Sequence, residues 1–207
     1  MSTCRTAATV TPFHESQTCH CLQAALHSKR CTCRLYLDAA AALEADGHHV
    51  IAHAFRFTAA QEREHADILQ GLLTTHGGKP LPQEDAPPLP HSPIELLRDA
   101  AAGEHAAWDE RCPQDAAAAL AEGYPRIAIT FRRIAETDQL HARRFVQYLE
   151  AVSQGRLLRD EQRVSWVCLG CGQLHTGCEP PDRCPGCSGS QGYFIRSSFE
   201  PFAVGDE

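Results

Sequence analysis

The chain contains no run of lysines and arginines, and it carries a formal net charge of −7 over 207 residues. Nucleic acids and anionic membrane surfaces are recognised by clustered positive charge, so neither is an expected partner. No apolar run approaches the length of a membrane span. The opening residues, Met1-Ser2-Thr3-Cys4-Arg5, do not lead into an apolar stretch of signal-peptide length. A secretory signal is therefore not expected, and the expected compartment is the reducing cytoplasm. Disulfides are rare there, so the 11 cysteines are expected to be thiols and metal ligands. They are spread unevenly. Cys168, Cys171, Cys184 and Cys187 form a C-terminal array, Cys19, Cys21, Cys31 and Cys33 form two spaced pairs, and Cys4, Cys112 and Cys178 stand alone.

Helical signals dominate the first three quarters. Residues 1–17 lack periodicity and read as an N-terminal arm. From about Thr18 to Thr75 the chain is rich in Ala and Leu, with one break at Asp46-Gly47, a helix C-cap signal that divides it into a first and a second helix. Gly77-Gly78 ends the second. The crossover, 77–93, holds Pro80, Pro82, Pro87, Pro88, Pro90 and Pro93 and cannot be helical before its end. Ser92-Pro93 fits an N-cap and first helical position, opening a third helix that breaks near Glu122-Gly123. A fourth runs to about Ser153. Cys112-Pro113 predicts an irregularity in the third. An internal repeat spaced by 76 residues pairs Ala45-Asp46-Gly47 with Ala121-Glu122-Gly123, Ile51-Ala52 with Ile127-Ala128, Phe55-Arg56 with Phe131-Arg132, and His65-Ala66 with His141-Ala142. Two related helix pairs joined by a long crossover describe an all-α four-helix bundle of the ferritin-like kind over 18–155. Over 164–207 the helical pattern gives way to short strand-like pieces with Gly, Pro and Cys.

The C-terminal spacing is Cys-x2-Cys-x12-Cys-x2-Cys, with Gly172 after the first pair and Pro185-Gly186 inside the second. Tight turns of this kind aim backbone N–H groups at the sulfurs. Four thiolates make a tetrahedral soft site suited to zinc or to a single iron.

A second constellation lies in the bundle. Glu62 and His65 are three apart on one helical face, and Asp138 and His141 repeat the arrangement. Two such pairs, joined by carboxylates from the other helices such as Glu104, form a di-metal carboxylate site. A single Glu-x-x-His is common on solvated helices, and the fixed offset is what raises the signal. By contrast, Cys19/Cys21 and Cys31/Cys33 are i, i+2 pairs that do not share a helical face and are read as ordinary helix positions. His48, His49, His53 and His105 show no partner pattern and are read as exposed or satisfied.

Thr58-Ala59-Ala60-Gln61-Glu62-Arg63-Glu64-His65-Ala66 resembles the second-helix motif of rubrerythrins, and Gly103-Glu104 with Ile134-Ala135-Glu136-Thr137-Asp138-Gln139-Leu140-His141 resembles their third- and fourth-helix motifs. Trp166-Val167-Cys168-Leu169-Gly170-Cys171-Gly172 with Cys184-Pro185-Gly186-Cys187 is similar to their rubredoxin-like tail. The resemblance spans roughly 18–195. It implies a ferritin-like bundle holding non-haem iron and a mononuclear Fe(Cys)4 centre. In that family the tail centre passes electrons to the bundle, often across a homodimer, for peroxide reduction, and a reductase supplies them.

The chain departs from the family pattern at several positions. The family carries a Glu on the first helix, seven residues before a Tyr. Tyr36 is present, near the expected bundle site, but the ligand position is Lys29. The repeat gives a second estimate, because Glu104 shifted by 76 falls on Ser28, and neither residue is a carboxylate. A second third-helix Glu falls on Ala107, a later Tyr on Cys112, and the fourth-helix Glu is shortened to Asp138. Glu62, Glu104 and Asp138 supply three negative charges, which one divalent ion and Lys29 would balance. The expectation is one bundle metal at the His141/Glu104 position with Lys29 standing in for the second. Cys33 or His27 is the alternative substitute ligand. The functional expectation is a rubrerythrin-like oxidoreductase acting on peroxide. The alternatives are a metal-binding or electron-transfer member without turnover, and a zinc-ribbon protein whose bundle is a dimerisation scaffold.

Overall fold

The computed structural model describes residues 12–82 and 92–199. Cys4, the first part of the expected arm, the central part of the proline-rich crossover and the last eight residues lie outside them. The chain forms a four-helix bundle followed by a small three-stranded ribbon.

Helix α1 spans Gln17–Ala45, and Ser16 caps it by accepting from the Cys19 N–H at 3.1 Å. The arm expected to end at residue 17 therefore stops sooner. Residues Phe13–Glu15 form a 3-10 turn, and Phe13 packs edge-on against Tyr124. Gly47, at φ +81°, closes α1 in the left-handed conformation, with His48 N–H donating to Leu43 O and Gly47 N–H to Glu44 O. Gly123 closes the corresponding helix at φ +85°. Helix α2 covers His49–Thr75. After the crossover, Ser92 caps α3 (Pro93–Ala106), with Pro93 in its first turn, where no N–H partner is lost. A π turn, Ala107–Arg111, links α3 to α4 (Cys112–Ala121), and α5 runs Pro125–Ser153.

The irregularity expected at Cys112-Pro113 is this π turn. Pro113 has no N–H to donate four residues back, and its ring would press on that carbonyl. The backbone widens instead, and Cys112 N–H donates to Ala107 O, five residues back.

α1 packs along α2, and the bent α3–α4 unit packs along α5. The bundle interior has three layers. One apolar cluster contains Tyr36, Phe55, Leu97, Phe145 and Tyr148, and another contains Leu22, Leu26, Leu69, Phe131 and Ile134. Between them lies a band of buried polar side chains: Lys29, Glu62, His65, Glu104, Asp138 and His141.

In the ribbon, β1 (Val164–Cys168) is central, paired antiparallel with β2 (Leu174–Gly177) and β3 (Phe194–Arg196). Trp166 is fully buried, and its indole N–H donates to Gly177 O at 2.9 Å. The ribbon rests on the end of the bundle where α1 meets α2. Tyr193 stacks on His49 at 3.8 Å, and Ile195 enters the Tyr36/Phe55 cluster. A side chain on Gly192 would come within 2.6 Å of Gly47 O, so the two backbones meet there directly. Arg196 donates to the carbonyls of Arg156 and Arg159, holding the ribbon to the connection after α5. No helix among the described residues is long and apolar enough to cross a membrane.

Candidate metal centres

The ribbon brings Cys168, Cys171, Cys184 and Cys187 together. Sγ of Cys168 lies 3.7 Å from Sγ of Cys187, and Cys171 lies 3.6 Å from Cys184. A tetrahedron with metal–sulfur bonds of about 2.3 Å has edges of about 3.8 Å, so the sulfurs already stand near coordinating separation. Glycines keep the space open. A Cβ on Gly186 would sit 3.3 Å from the Cys171 sulfur, and one on Gly189 would sit 3.4 Å from that of Cys187. Burial raises the Cys184 thiol, but N–H groups of Cys187 and Gly186, with the neighbouring thiols, outweigh it and bring it down to about 7. Gly170 and Cys171 N–H groups favour the Cys168 thiolate in the same way, although burial leaves that thiol raised. These turns stabilise thiolates, the form a soft metal binds.

The bundle site is assembled from four helices. Lys29 Nζ donates to Glu62 Oε1 at 2.9 Å and to Asp138 Oδ1 at 2.6 Å. His65 Nδ1 sits beside the same two oxygens, at 3.2 and 3.6 Å. On the other side, His141 Nδ1 lies 3.4 Å from Glu62 Oε1 and 3.5 Å from Glu104 Oε2. Tyr36 donates its hydroxyl to Glu104 Oε1 at 2.8 Å.

Burial disfavours the Lys29 ammonium, but Glu62, Asp138 and Glu104 outweigh it and raise its pKa. Burial likewise opposes the Glu62 carboxylate, but His141, His65 and Lys29 hold its pKa far below the ordinary range. Asp138 is pushed up to about 6 by burial, reinforced by Glu62 and Glu104 and opposed by Lys29. His141 is raised because Glu104 and Glu62 outweigh its burial. The site draws positive charge toward His141.

Glu62, Glu104, Asp138 and His141 can each turn one donor atom into a group whose members lie within 4.8 Å of one another. Two buried atoms there have no hydrogen-bond partner: Asp138 Oδ2 and His141 Nδ1. Unpaired buried acceptors are costly unless something satisfies them. Three carboxylates and an imidazole form a donor set that fits a first-row divalent ion.

Most of the residues singled out from the sequence converge here. Cys33 and His27 do not join the donor group; the His27 ring instead lies 3.5 Å from the Cys31 sulfur. Cys19 and Cys21 are buried in the Leu22/Phe131 cluster. His49 does have a partner, the Tyr193 ring, which no local pattern announced. Gln61 was also missed. Its Oε1 lies 3.1 Å from His141 Nε2, and because that oxygen can only accept, Nε2 carries the proton and Nδ1 faces the carboxylates.

The π turn corrects the register of the internal repeat. It adds one residue to the third helix relative to α1. The offset is 76 after the turn but 75 before it, so Glu104 corresponds to Lys29, not Ser28. The geometry agrees: Lys29 reaches the site from α1 and Ser28 forms no bond within it. Lys29 and Glu104 are pseudo-symmetric mates of opposite charge.

A family model described as rubrerythrin matches residues 21–149, and one described as the rubrerythrin rubredoxin-like domain matches 166–195. The chain is 35% identical over 160 residues to a rubrerythrin of Porphyromonas gingivalis, covering 77% of this chain and 79% of that protein. It is 35% identical over 156 residues to a rubrerythrin of Nitratidesulfovibrio vulgaris, covering 72% and 78% respectively. A solved structure of mixed-valence nigerythrin shares the fold, with a TM-score of 0.61 and 24% identity over 95% of this chain and 98% of that one.

Proposed function

Because the chain belongs to the rubrerythrin family, we propose that it is a non-haem iron oxidoreductase in which electrons enter at the four-thiolate ribbon and reach the bundle site, with peroxide as acceptor. The observation that carries the reading is the pairing, in one chain, of four thiolates at coordinating separation with a buried carboxylate–imidazole group that has orphaned acceptors. Iron at these positions supplies one-electron chemistry. Gln61 orients His141, and Tyr36 fixes Glu104. A cavity of about 270 Å³ reaches Glu62 and Glu104, large enough for a small acceptor, and Lys29 and Tyr36 also line it, the first with an N–H beyond the two given to Glu62 and Asp138, the second with its hydroxyl oxygen as an acceptor. Reduction of hydrogen peroxide consumes two electrons and two protons and yields two waters.

The ribbon meets α2 at His49, and Glu62 lies 13 residues further along it, a separation of about 20 Å at 1.5 Å per residue. That length favours transfer to the bundle of a second copy, in a homodimer fed by a separate reductase. Every cysteine among the described residues is a free thiol, which suits the reducing cytoplasm. Lys29 supports a second reading, a protein that binds metal and relays electrons without turning over peroxide.

The test is anaerobic. Protein isolated without added metal should show a red ferric four-thiolate chromophore. Once reduced, it should be reoxidised by peroxide faster in the wild type than in Glu104→Ala. Colourless, zinc-loaded protein would defeat both readings. Equal reoxidation rates would leave only the second.

A further inference from the structure

We propose that the Lys29 ammonium occupies the second cation position of the bundle, so that the site takes a single divalent ion held by Glu62, Glu104, Asp138 and His141. The inference rests on the reading of the bundle as a metal site, but not on peroxide turnover.

Three observations carry it. Lys29 is the pseudo-symmetric mate of Glu104, so it stands where a second ion would need a terminal carboxylate. Its Nζ is bonded to Glu62 Oε1 and Asp138 Oδ1, the same two oxygens that His65 Nδ1 faces. An ion shared by His65 and those carboxylates would have to displace the ammonium. The orphaned atoms, Asp138 Oδ2 and His141 Nδ1, both belong to residues of the four-residue group that excludes His65.

Charge points the same way. Glu62, Glu104 and Asp138 bring three negative charges, and all are at most 2% exposed. Lys29 and one divalent ion neutralise them. A second divalent ion would leave an excess of two positive charges in a site with little solvent, a cost that a buried cluster does not sustain.

The experiment counts metal in the full-length protein. Wild type, Lys29→Glu and His141→Ala are loaded anaerobically with ferrous iron, desalted and analysed for iron per chain. The expected counts are two for wild type (one in the ribbon, one in the bundle), three for Lys29→Glu and one for His141→Ala. Three irons in the wild type would overturn the proposal, as would Lys29→Glu remaining at two while folded. One iron in both wild type and His141→Ala would instead show that the bundle holds no metal, and would defeat the metal-site reading itself, whereas two irons in both would overturn the assignment of the single ion to His141. Should Lys29→Glu fail to fold, manganese-loaded wild type gives an independent readout. An uncoupled six-line spectrum from the bundle supports one ion, and an exchange-coupled pair overturns it.

Discussion

Replacing Lys29 with Met in metal-free bundle protein tests how much of the fold depends on one ammonium. Met keeps most of the apolar stem of the side chain and removes the ammonium with its N–H donors. Glu62 and Asp138 then lose their hydrogen-bonded counter-ion while remaining buried. Breaking a buried ion pair from one side costs about 3–5 kcal/mol. For a chain of this size each kcal/mol moves the melting temperature by roughly 2–4 °C, so a fall on the order of 10 °C is expected at pH 8. The loss should shrink on acidification, because Asp138 has a raised pKa of about 6 in the fold against 3.8 as a free group. A raised carboxyl contributes stability that is complete below its unfolded pKa and is lost as pH rises through the folded one. Removing Lys29, which lowers that pKa, pushes it further up, so at pH 5.5 the proton replaces part of the missing charge. The assay is thermal melting of chelator-treated wild type and Lys29→Met, with the same tail metal, at pH 8 and pH 5.5. Equal melting temperatures at pH 8, or a larger loss at pH 5.5, would refute the argument.

Gln61→Leu removes the acceptor for His141 Nε2 and should weaken bundle metal binding by about 10–100-fold, measured by competitive chelation, with little change in helix content. Tyr36→Phe removes the hydroxyl that donates to Glu104 and should cost about 1.5–3 kcal/mol, read from urea unfolding of the metal-free protein. Cys184→Ser should abolish the tail chromophore and lower the metal count by one, while circular dichroism retains the bundle's helices.

Much of the architecture could be read from residue types at fixed positions. Gly47 and Gly123 mark the two helix ends because each needs a left-handed backbone, and Ser92-Pro93 marks the start of α3. The polar band of the bundle was legible because Glu62/His65 and Asp138/His141 share a helical period. Lys29 was found through its distance from Tyr36, whereas the repeat pointed one residue away, to Ser28. The discrepancy came from the π turn. A hydrogen bond that skips five residues instead of four leaves no mark in side-chain pattern, and only Cys112-Pro113 hinted at it. Gln61 and His49 were illegible for another reason. Their partners, His141 and Tyr193, lie far along the chain and meet them only in the folded molecule.

The π turn also lets 107–111 hold one residue more than an ordinary helix would without turning the rest of the element. Wound as a straight α-helix, the same five residues would rotate everything beyond them by about 100° relative to α3. Glu104 would keep its place, but Cys112, Ala116 and Ala119, all buried, would swing off the core face. Removing one residue from the turn would instead leave an ordinary helix like α1, with Glu104 and the residues beyond both on their present faces. Point substitutions at exposed positions such as Asp109 and Glu110 should be absorbed readily. This short stretch is thus permissive both to spelling changes and to a frame-preserving gap of a single codon.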